Sequence, residues 1–334
     1  MSISATNPVG RAIDRAKHMT FQPFDLKKWF IIGFCAFLAD LGTNSGRFNF
    51  NVPGPARAPA PPGVPTPAPA PPDPREVFES VRTWVIAHPS ESILAGAAAF
   101  LIIVTMALLL TWLSSRGHFM FIHNIATNVA AVVEPWNRFR DLAWSLFLFR
   151  LVLLLIGFAA FLLAATVAAT LAWPDIRAGT LSQTAGVGIF VGFLILLPIV
   201  AALFLIQWGL ITFVVPIMYA TNQSASRALQ EFRQRIIPGN RGAILLVMLL
   251  QFVFAIAIAI GQMIIGCVTC CIGLLPYLSS VASLPLLIFY RAYPIYFLQQ
   301  FDPRYRIIQE PPPPAPPMYG FPVTPAPMPP PATL

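Results

Sequence analysis

Two stretches of this chain, residues 178–226 and 242–290, each run for 49 positions without an Asp, Glu, Lys, Arg or His. A bilayer core of about 30 Å needs roughly 20 helical residues, so each stretch is long enough for two crossings. Two shorter charge-free runs, at 92–115 and 151–174, each fit one crossing. The sequence therefore predicts an integral membrane protein with several spans.

The composition agrees with a membrane location. Hydrophobic residues make up 57% of the chain and charged residues 10%, whereas soluble domains contain about 25% charged residues. A net charge of +8 would suggest a nucleic-acid partner in a soluble protein. Here the basic residues are better explained by orientation in the membrane, so we expect the lipid bilayer, and no nucleic acid, as a partner.

The apolar lengths predict an all-α fold, a polytopic helical membrane bundle with about six transmembrane helices. A helical membrane domain at 89–300 holds five of them, expected near 92–113, 144–172, 186–216, 243–264 and 271–290. The sixth is a short membrane helix at 29–41, which follows a cytoplasmic N-terminal segment at 1–28. Its thirteen residues span only about 20 Å as a helix.

The distribution of basic residues favours a crossing at 29–41. If this segment crosses, fifteen Lys and Arg residues face one side and five face the other, whereas without it the count is ten against ten. The positive-inside rule then predicts a bacterial cytoplasmic (inner) membrane protein with both termini in the cytoplasm. A hairpin and an interfacial helix are open alternatives. A cleaved signal peptide is a third, disfavoured because no small-x-small site closes the apolar core.

Two segments are too rich in proline to form regular hydrogen-bonded structure. Residues 52–74 contain eleven prolines and residues 311–334 contain twelve, which predicts disorder with local polyproline II geometry. The first belongs to a Pro/Ala-rich linker at 42–74 and the second to a cytoplasmic tail at 301–334. Such a tail can dock into an aromatic-lined groove of a protein partner. A solvated spacer is the favoured interpretation.

Amphipathic patterns predict helices that lie in the membrane interface at 75–88, at 119–133 and at 225–236. In each, apolar residues recur at helical spacing with polar residues on the other side, as expected for interfacial helices. The last two form elbows between spans, and both lead into the motif Pro-x-Asn-Arg. That match fits either an internal repeat, as in some transporters, or a shared need to stop a helix.

Groups that could carry out chemistry are scarce in this sequence. None of the thirteen carboxylates lies in the middle of a long span, which argues against coupling to protons or cations. Cys267, Cys270 and Cys271 resemble half of a metal site, but zinc usually needs four ligands and no second pair exists. We therefore expect no metal, no cofactor and no catalytic residue, and hence no enzyme.

Arg150 is the one strongly charged residue inside a predicted long span. It lies six residues beyond Trp144, a rise of about 9 Å. There its side chain can snorkel to the lipid headgroups or bind a lipid phosphate, and snorkelling is the favoured interpretation. Arg138 and Arg241, each next to the start of a crossing, are further candidates for contact with a lipid or an anion.

Prolines and glutamines inside the spans are candidates for lining a cavity. Pro198 interrupts one span, and Gln207, Gln251 and Gln262 place amide groups inside apolar runs. Irregular or polar positions at membrane depth are tolerated where they line a cavity or are buried in protein. The alternative for the glutamines is hydrogen bonding between helices without any cavity.

Several short motifs carry a resemblance to a known family. They are Pro23–Phe34, Ser115–Phe121, Pro135–Arg138, Phe213–Pro216, and Leu284-Pro285 leading to Phe297, Leu298 and Phe301. Together they resemble an uncharacterised bacterial family of multi-pass membrane proteins, classed as a domain of unknown function. The span, Val-Val-Pro and elbow are more distantly similar to the membrane domain of some glycerophosphodiester phosphodiesterases. The resemblance implies a fold and a membrane location but no activity.

The favoured function is a non-enzymatic scaffold or assembly factor that contacts lipids or protein partners. The alternative is a membrane-transport component for a lipid or a small hydrophobic solute. A water-accessible or lipid-filled cavity near Pro198 and Gln251 would favour transport. A filled bundle with an exposed face of small residues would favour the structural role.

Overall fold

The computed structural model describes residues 3–41, 83–84, 87–178, 183–268 and 276–308. The helices in chain order are α1 (Asn7–Phe21), α2 (Leu26–Asp40), α3 (Pro89–Thr127), α4 (Val133–Arg138), α5 (Arg140–Ala178), α6 (Gln183–Gly209), α7 (Val215–Thr221), α8 (Ala225–Glu231), α9 (Arg241–Val268), α10 (Pro276–Ala282) and α11 (Leu284–Leu298). Two π-helical segments, Leu210–Val214 and Phe232–Ile236, join α6 to α7 and follow α8. These ranges contain no strand, which confirms the predicted all-α fold.

Within the described ranges, four helices are long and apolar enough to cross a membrane. They are Pro89–Thr127, Arg140–Trp173, Gly186–Thr221 and Arg241–Ile265. At most 22% of the apolar window in each is buried inside the protein, so most of these side chains face outward, where only lipid is a favourable neighbour. The chain is therefore a membrane protein with several apolar helices.

The two other predicted spans are not confirmed as crossings. α2 lies where the short membrane helix was expected, but its 15 residues give only about 22 Å of helix. Residues 276–298 form the separate helices α10 and α11, of 7 and 15 residues. Pro285 stands in the first turn of α11, where its missing N–H costs nothing and its ring starts a new helix.

The interfacial helix predicted at 119–133 is wrong. α3 continues without a break to Thr127, and nearly all of its residues from 114 to 125 are buried. The helix ends at Asn128, which adopts a left-handed conformation with φ of 60°, a common helix stop. The apolar face therefore packs against other helices rather than against lipid, and periodicity alone cannot distinguish these two neighbours.

The elbow predicted at 225–236 does contain helical structure. α8 and the π-helical segment after it bury Ala225, Ala228, Phe232 and Ile236. This apolar face packs into the core of the protein. Most of the interfacial helix predicted at 75–88 lies outside the described residues. So do the linker at 42–74 and the tail beyond residue 308.

The buried core lies at one end of the long helices, in a region that we call the base. The base consists of α1, α2, residues 114–127 of α3, Phe139, residues 140–150 of α5, residues 210–236, α11 and residues 303–308. Its largest fully buried side chains are Tyr293, Tyr305, Phe119, Phe213 and Phe297. From the base, the apolar parts of α3, α5, α6 and α9 extend outward with exposed side chains.

α2 and α3 approach each other closely at Gly117. A Cβ atom at this position would clash with the backbone nitrogen of Ala39 and would lie 2.5 Å from the carbonyl carbon of Leu38. Beside it, the hydroxyl of Ser114 donates a hydrogen bond of 2.8 Å to the carbonyl oxygen of Ala39. Only glycine leaves room for this crossing, which places Asp40, the last residue of α2, next to α3.

Arg15 of α1 caps the C-terminal end of α3. Its Nη2 atom donates to the carbonyl oxygens of Ile125, at 2.5 Å, and of Ala126, at 3.0 Å. Lys28 adds a bond of 2.9 Å from Nζ to Oδ1 of Asn128. Burial of Arg15 lowers the pKa of its guanidinium. Because the last carbonyls of a helix have no partner within it, this cation both satisfies them and complements the helix dipole.

Replacing Arg15 by methionine is expected to lower the free energy of unfolding by about 2 kcal/mol, because two helix-end carbonyls lose a charged donor. Thermal unfolding of the purified protein in detergent measures this change. Lys17→Met is the matched control, since Lys17 is an exposed cation on the same helix. Equal unfolding midpoints for the two variants would show that Arg15 does not stabilise the end of α3.

Candidate functional site

A cavity of about 720 Å³ lies between α3, α5, α6, α9 and α11. Most of its lining is apolar and includes Leu154 and Gly157 of α5, Leu203 and Phe204 of α6, and Phe252 and Ala255 of α9. Its volume falls in the range of about 300–1,000 Å³ that is typical of sites for small ligands. The bundle is therefore not filled, and it has room for an apolar molecule.

The cavity opens outward between α6 and α9. α6 packs along α5, whereas α9 packs on α11, so the two helices belong to different packed pairs. Phe204 and Phe252 line the cavity, yet their side chains are 65% and 56% exposed. Residues that line the cavity and are also exposed to the outside mark the edge of an opening.

Arg150 forms part of the polar end of the cavity. It is only 4% exposed, so its side chain does not snorkel to the surface. Its Nη1 atom donates to the hydroxyls of Ser114, at 3.1 Å, and Ser115, at 3.3 Å. With its amide oxygen turned toward Arg150, Gln207 accepts from Nε at 2.7 Å and from Nη2 at 3.0 Å. All of these partners are neutral.

Arg291 of α11 brings a second positive charge to the same end of the cavity. Its Nη2 atom lies 3.9 Å from Oδ1 of Asp40 and donates to Nδ1 of His118 at 3.3 Å. Among the described residues, no carboxylate forms an ion pair with Arg150. Two arginines and one aspartate therefore leave this end of the cavity with an excess positive charge of one.

The predicted cavity residues occupy different positions. Gln207 lines the cavity beside Arg150. Gln251 is buried and joins three helices, because its amide accepts from Thr212 at 3.1 Å and donates to the carbonyl of Tyr290 at 3.2 Å. Gln262 donates to the hydroxyl of Ser283 at 3.1 Å. Pro198 lies within α6, two residues before the lining residue Val200.

The other two predicted arginines lie away from the cavity. Arg138 forms an exposed ion pair of 3.5 Å with Glu134, one helical turn earlier. Arg241 is the first residue of α9 and is exposed. Neither side chain lines the cavity, and both positions suit cations at a membrane interface.

The described residues contain no group of three or more His, Cys, Asp or Glu side chains that could hold a metal ion. Cys35 is buried, and its sulfur accepts a hydrogen bond of 3.3 Å from the amide of Asn124. Cys270 and Cys271 lie outside the described ranges. The absence of a metal stays a prediction for the whole chain.

The partners of Arg150 are not apparent from the sequence. In the sequence, Arg291 is only one of the basic residues that orient the protein in the membrane. Asp40 lies at the end of a short apolar segment. The adjacent hydroxyls of Ser114 and Ser115, directly after an apolar run, were the available signal, because hydroxyl pairs in spans often bond to a neighbouring helix. Nothing in the spacing indicated that α2, α3 and α11 would meet at this point.

Residues 3–284 match the model of a family described as a family of unknown function, DUF7544. No curated protein and no solved structure matches the chain. The match supports the resemblance to an uncharacterised family, but it provides no link to glycerophosphodiester phosphodiesterases and no evidence of bacterial origin. Because the match covers everything from α1 to α10, the chain belongs to the DUF7544 family of unknown function.

Proposed function

We propose that this protein is a membrane-transport component that takes a lipid or a small hydrophobic solute into the cavity between α6 and α9. The cavity itself carries the proposal, because it combines a ligand-sized volume, apolar walls and lining residues that are exposed toward lipid. A scaffold has no need for such a space. Of the two functions that the sequence predicts, the cavity therefore favours transport.

The wall formed by α6 has two features that allow a helix to bend. Pro198 lies inside α6, where it removes one backbone hydrogen bond and clashes with the preceding turn. The π-helical segment Leu210–Val214 follows directly after α6, and such segments are frequent at functional sites. The residues of α6 that line the cavity lie between these two features. Bending there would change the width of the opening toward α9.

The proposed activity is non-enzymatic. The polar groups at the cavity are mainly hydrogen-bond donors, namely Arg150, Arg291 and Tyr290, together with the amide of Gln207. Arginine stays protonated and cannot act as a general base. Asp40 is the one carboxylate of the lining and lies beside Arg291. These groups are suited to holding a ligand and releasing it unchanged.

We propose a bacterial cytoplasmic membrane location, with the base and both termini on the cytoplasmic side. The cations of the base support this orientation, among them Arg15, Lys28, Arg227 and Arg304, because cytoplasmic segments carry an excess of Lys and Arg. Labelling of single cysteines introduced near residues 14 and 306 with a membrane-impermeant reagent tests it. Labelling from outside intact cells would reverse the orientation.

Filling the cavity with Ala255→Trp is expected to abolish transport, because the indole occupies the space that the solute needs. The measurement is transbilayer movement of a fluorescent phospholipid in vesicles that contain the protein, followed by dithionite quenching. The variant should match protein-free vesicles, while the wild type should be faster. Ala257→Trp is the control. Ala257 is exposed on α9, so this substitution adds the same bulk outside the cavity.

Equal rates for wild type, Ala255→Trp and Ala257→Trp would contradict the transport proposal. A wild type no faster than protein-free vesicles would do the same. Circular dichroism and thermal unfolding of both variants confirm that each retains its helices. The comparison therefore depends on the cavity and not on overall folding.

A scaffold role is the second candidate. Phe21, Phe24 and Leu26 are exposed by more than half at the junction of α1 and α2, an apolar surface that a partner protein or the bilayer can cover. The Pro-rich tail, which lies outside the described residues, offers a second contact for a protein partner. Ala255→Trp separates the two functions, because a scaffold acts through its surface and would tolerate a filled cavity.

A further inference from the structure

The polar end of the cavity is built to receive a negative charge. Arg150 is buried with neutral partners only, and the ion pair between Arg291 and Asp40 is long, at 3.9 Å, compared with about 2.7–2.9 Å for a charge-assisted hydrogen bond. The Arg291 and Asp40 side chains are only 12% and 21% exposed. An uncompensated charge is unfavourable in such a low-dielectric setting, so an entering anion would be strongly stabilised.

The donors around this end suit a phosphate group. The Nε and Nη2 atoms of Arg150 face the amide oxygen of Gln207. A phosphate that takes the place of this amide oxygen would meet paired N–H groups, whose geometry matches the oxygens of a phosphate or a carboxylate. Tyr290 also lines the cavity, and its hydroxyl oxygen accepts from Nε1 of Trp208 at 3.2 Å. The proton of that hydroxyl is then available for an anion. Arg150, Arg291 and Tyr290 thus converge as donors on one end of the space.

The rest of the cavity suits acyl chains. Its walls from Leu153 to Gly157 of α5 and from Phe252 to Ala259 of α9 are apolar. The opening between α6 and α9 faces the lipid, so chains longer than the cavity can continue into the bilayer. A soluble anion gains nothing from these walls and would have to arrive through the membrane. The combination of a basic end with apolar walls selects an amphiphile.

We propose that the cavity binds one anionic phospholipid, with its phosphate on Arg150 and Arg291 and its acyl chains passing outward between α6 and α9. This inference rests on the proposed function and names the class of its substrate. The single excess positive charge matches the single negative charge of such a lipid. Arg150 and Arg291 are binding residues here, and no covalent step is involved.

Native mass spectrometry of the delipidated full chain tests this assignment. The probes are phosphatidylglycerol, phosphatidylcholine, diacylglycerol, oleate and inorganic phosphate, each added at the same concentration. We expect one bound phosphatidylglycerol, retained in preference to each of the others. Arg150→Gln should weaken that binding about ten- to a hundredfold, because hydrogen bonds from a charged donor are lost.

Arg138→Gln is the matched control, since it removes the same charge from an exposed ion pair outside the cavity. Tyr290→Phe is a second test, which stays informative even if the Arg150→Gln variant does not fold. It removes only one hydroxyl and should weaken phosphatidylglycerol binding severalfold. Equal retention of phosphatidylglycerol by the Arg150→Gln and Arg138→Gln variants would overturn the headgroup assignment.

The other probes separate this inference from the proposed function. Equal retention of diacylglycerol or phosphatidylcholine by the wild type would overturn the anionic headgroup but leave a transporter for apolar solutes. Preferred binding of oleate or of inorganic phosphate would replace the phospholipid by a fatty acid or a soluble anion. Undiminished lipid retention by Ala255→Trp would contradict both the inference and the proposed function, because the lipid would then lie outside the cavity.

Discussion

Replacing Gly117 by alanine is expected to destabilise the protein by about 1–3 kcal/mol, because overpacking forces the backbone to move. The new Cβ atom would clash with the nitrogen of Ala39 and lie 2.5 Å from the carbonyl carbon of Leu38. Both are backbone atoms, so no side-chain rotation can relieve the contact. α2 must then move away from α3, and the hydrogen bond from Ser114 to Ala39 is lost.

Gly96→Ala provides the matched control for this effect. Gly96 lies in the same helix, and a Cβ atom there meets nothing within 4 Å. Because glycine in a helix is less favourable than alanine, that variant should gain about 0.5–1 kcal/mol. Thermal unfolding in detergent measures both. If Gly117→Ala unfolds at or above the wild-type midpoint, the close crossing of α2 and α3 is incorrect.

Gly117→Ala should also strengthen the binding of an anionic lipid, in the same direction as loss of the Asp40 charge. Asp40 ends α2 one residue after the contact at Gly117, and it lies beside Arg291 at the polar end of the cavity. A shift of α2 therefore separates this carboxylate from the arginine. The stability of the base and the charge balance of the cavity are linked through a single helix end.

Asp40→Asn is expected to destabilise the delipidated protein by about 3 kcal/mol, because removing one partner of a buried ion pair leaves the other uncompensated. Arg150 and Arg291 would then lie in the same cavity without a carboxylate from its lining. Their excess charge rises from one to two. An anionic lipid should bind more tightly to this variant and restore more stability than it adds to the wild type.

Thermal unfolding with and without phosphatidylglycerol measures this effect. Asp14→Asn is the control, because Asp14 is an exposed carboxylate on α1 and should show no lipid-dependent rescue. The double variant Asp40→Asn, Arg291→Gln should recover part of the loss, since it removes both charges of the pair. Identical behaviour of Asp40→Asn and Asp14→Asn would mean that Asp40 does not balance the arginines.

The membrane-crossing helices could be predicted because their signal is local. A run of about 20 apolar residues is long enough to cross a bilayer as one helix, and α3, α5, α6 and α9 all contain such runs. The position of α2 was also predictable from its apolar residues. Its contact with α3 was not, since a glycine in an apolar helix indicates close packing without naming the partner.

The base could not be predicted in the same way. The apolar face from Phe119 onward is equally compatible with lipid and with another helix, and the structure buries it. Arg150 was identified as a candidate from its position in an apolar run. Its surroundings depend on Ser114, Gln207 and Arg291, which belong to three other helices. Long-range contacts of this kind leave no spacing pattern in the sequence.

A structure of the protein in nanodiscs that contain phosphatidylglycerol tests the central claim most directly. We expect lipid density in the cavity between α6 and α9, with the phosphate within hydrogen-bonding distance of the Arg150 guanidinium and the chains leading into the bilayer. A cavity that is closed by direct packing of α6 on α9, or lipid density only on the outer surface, would contradict it.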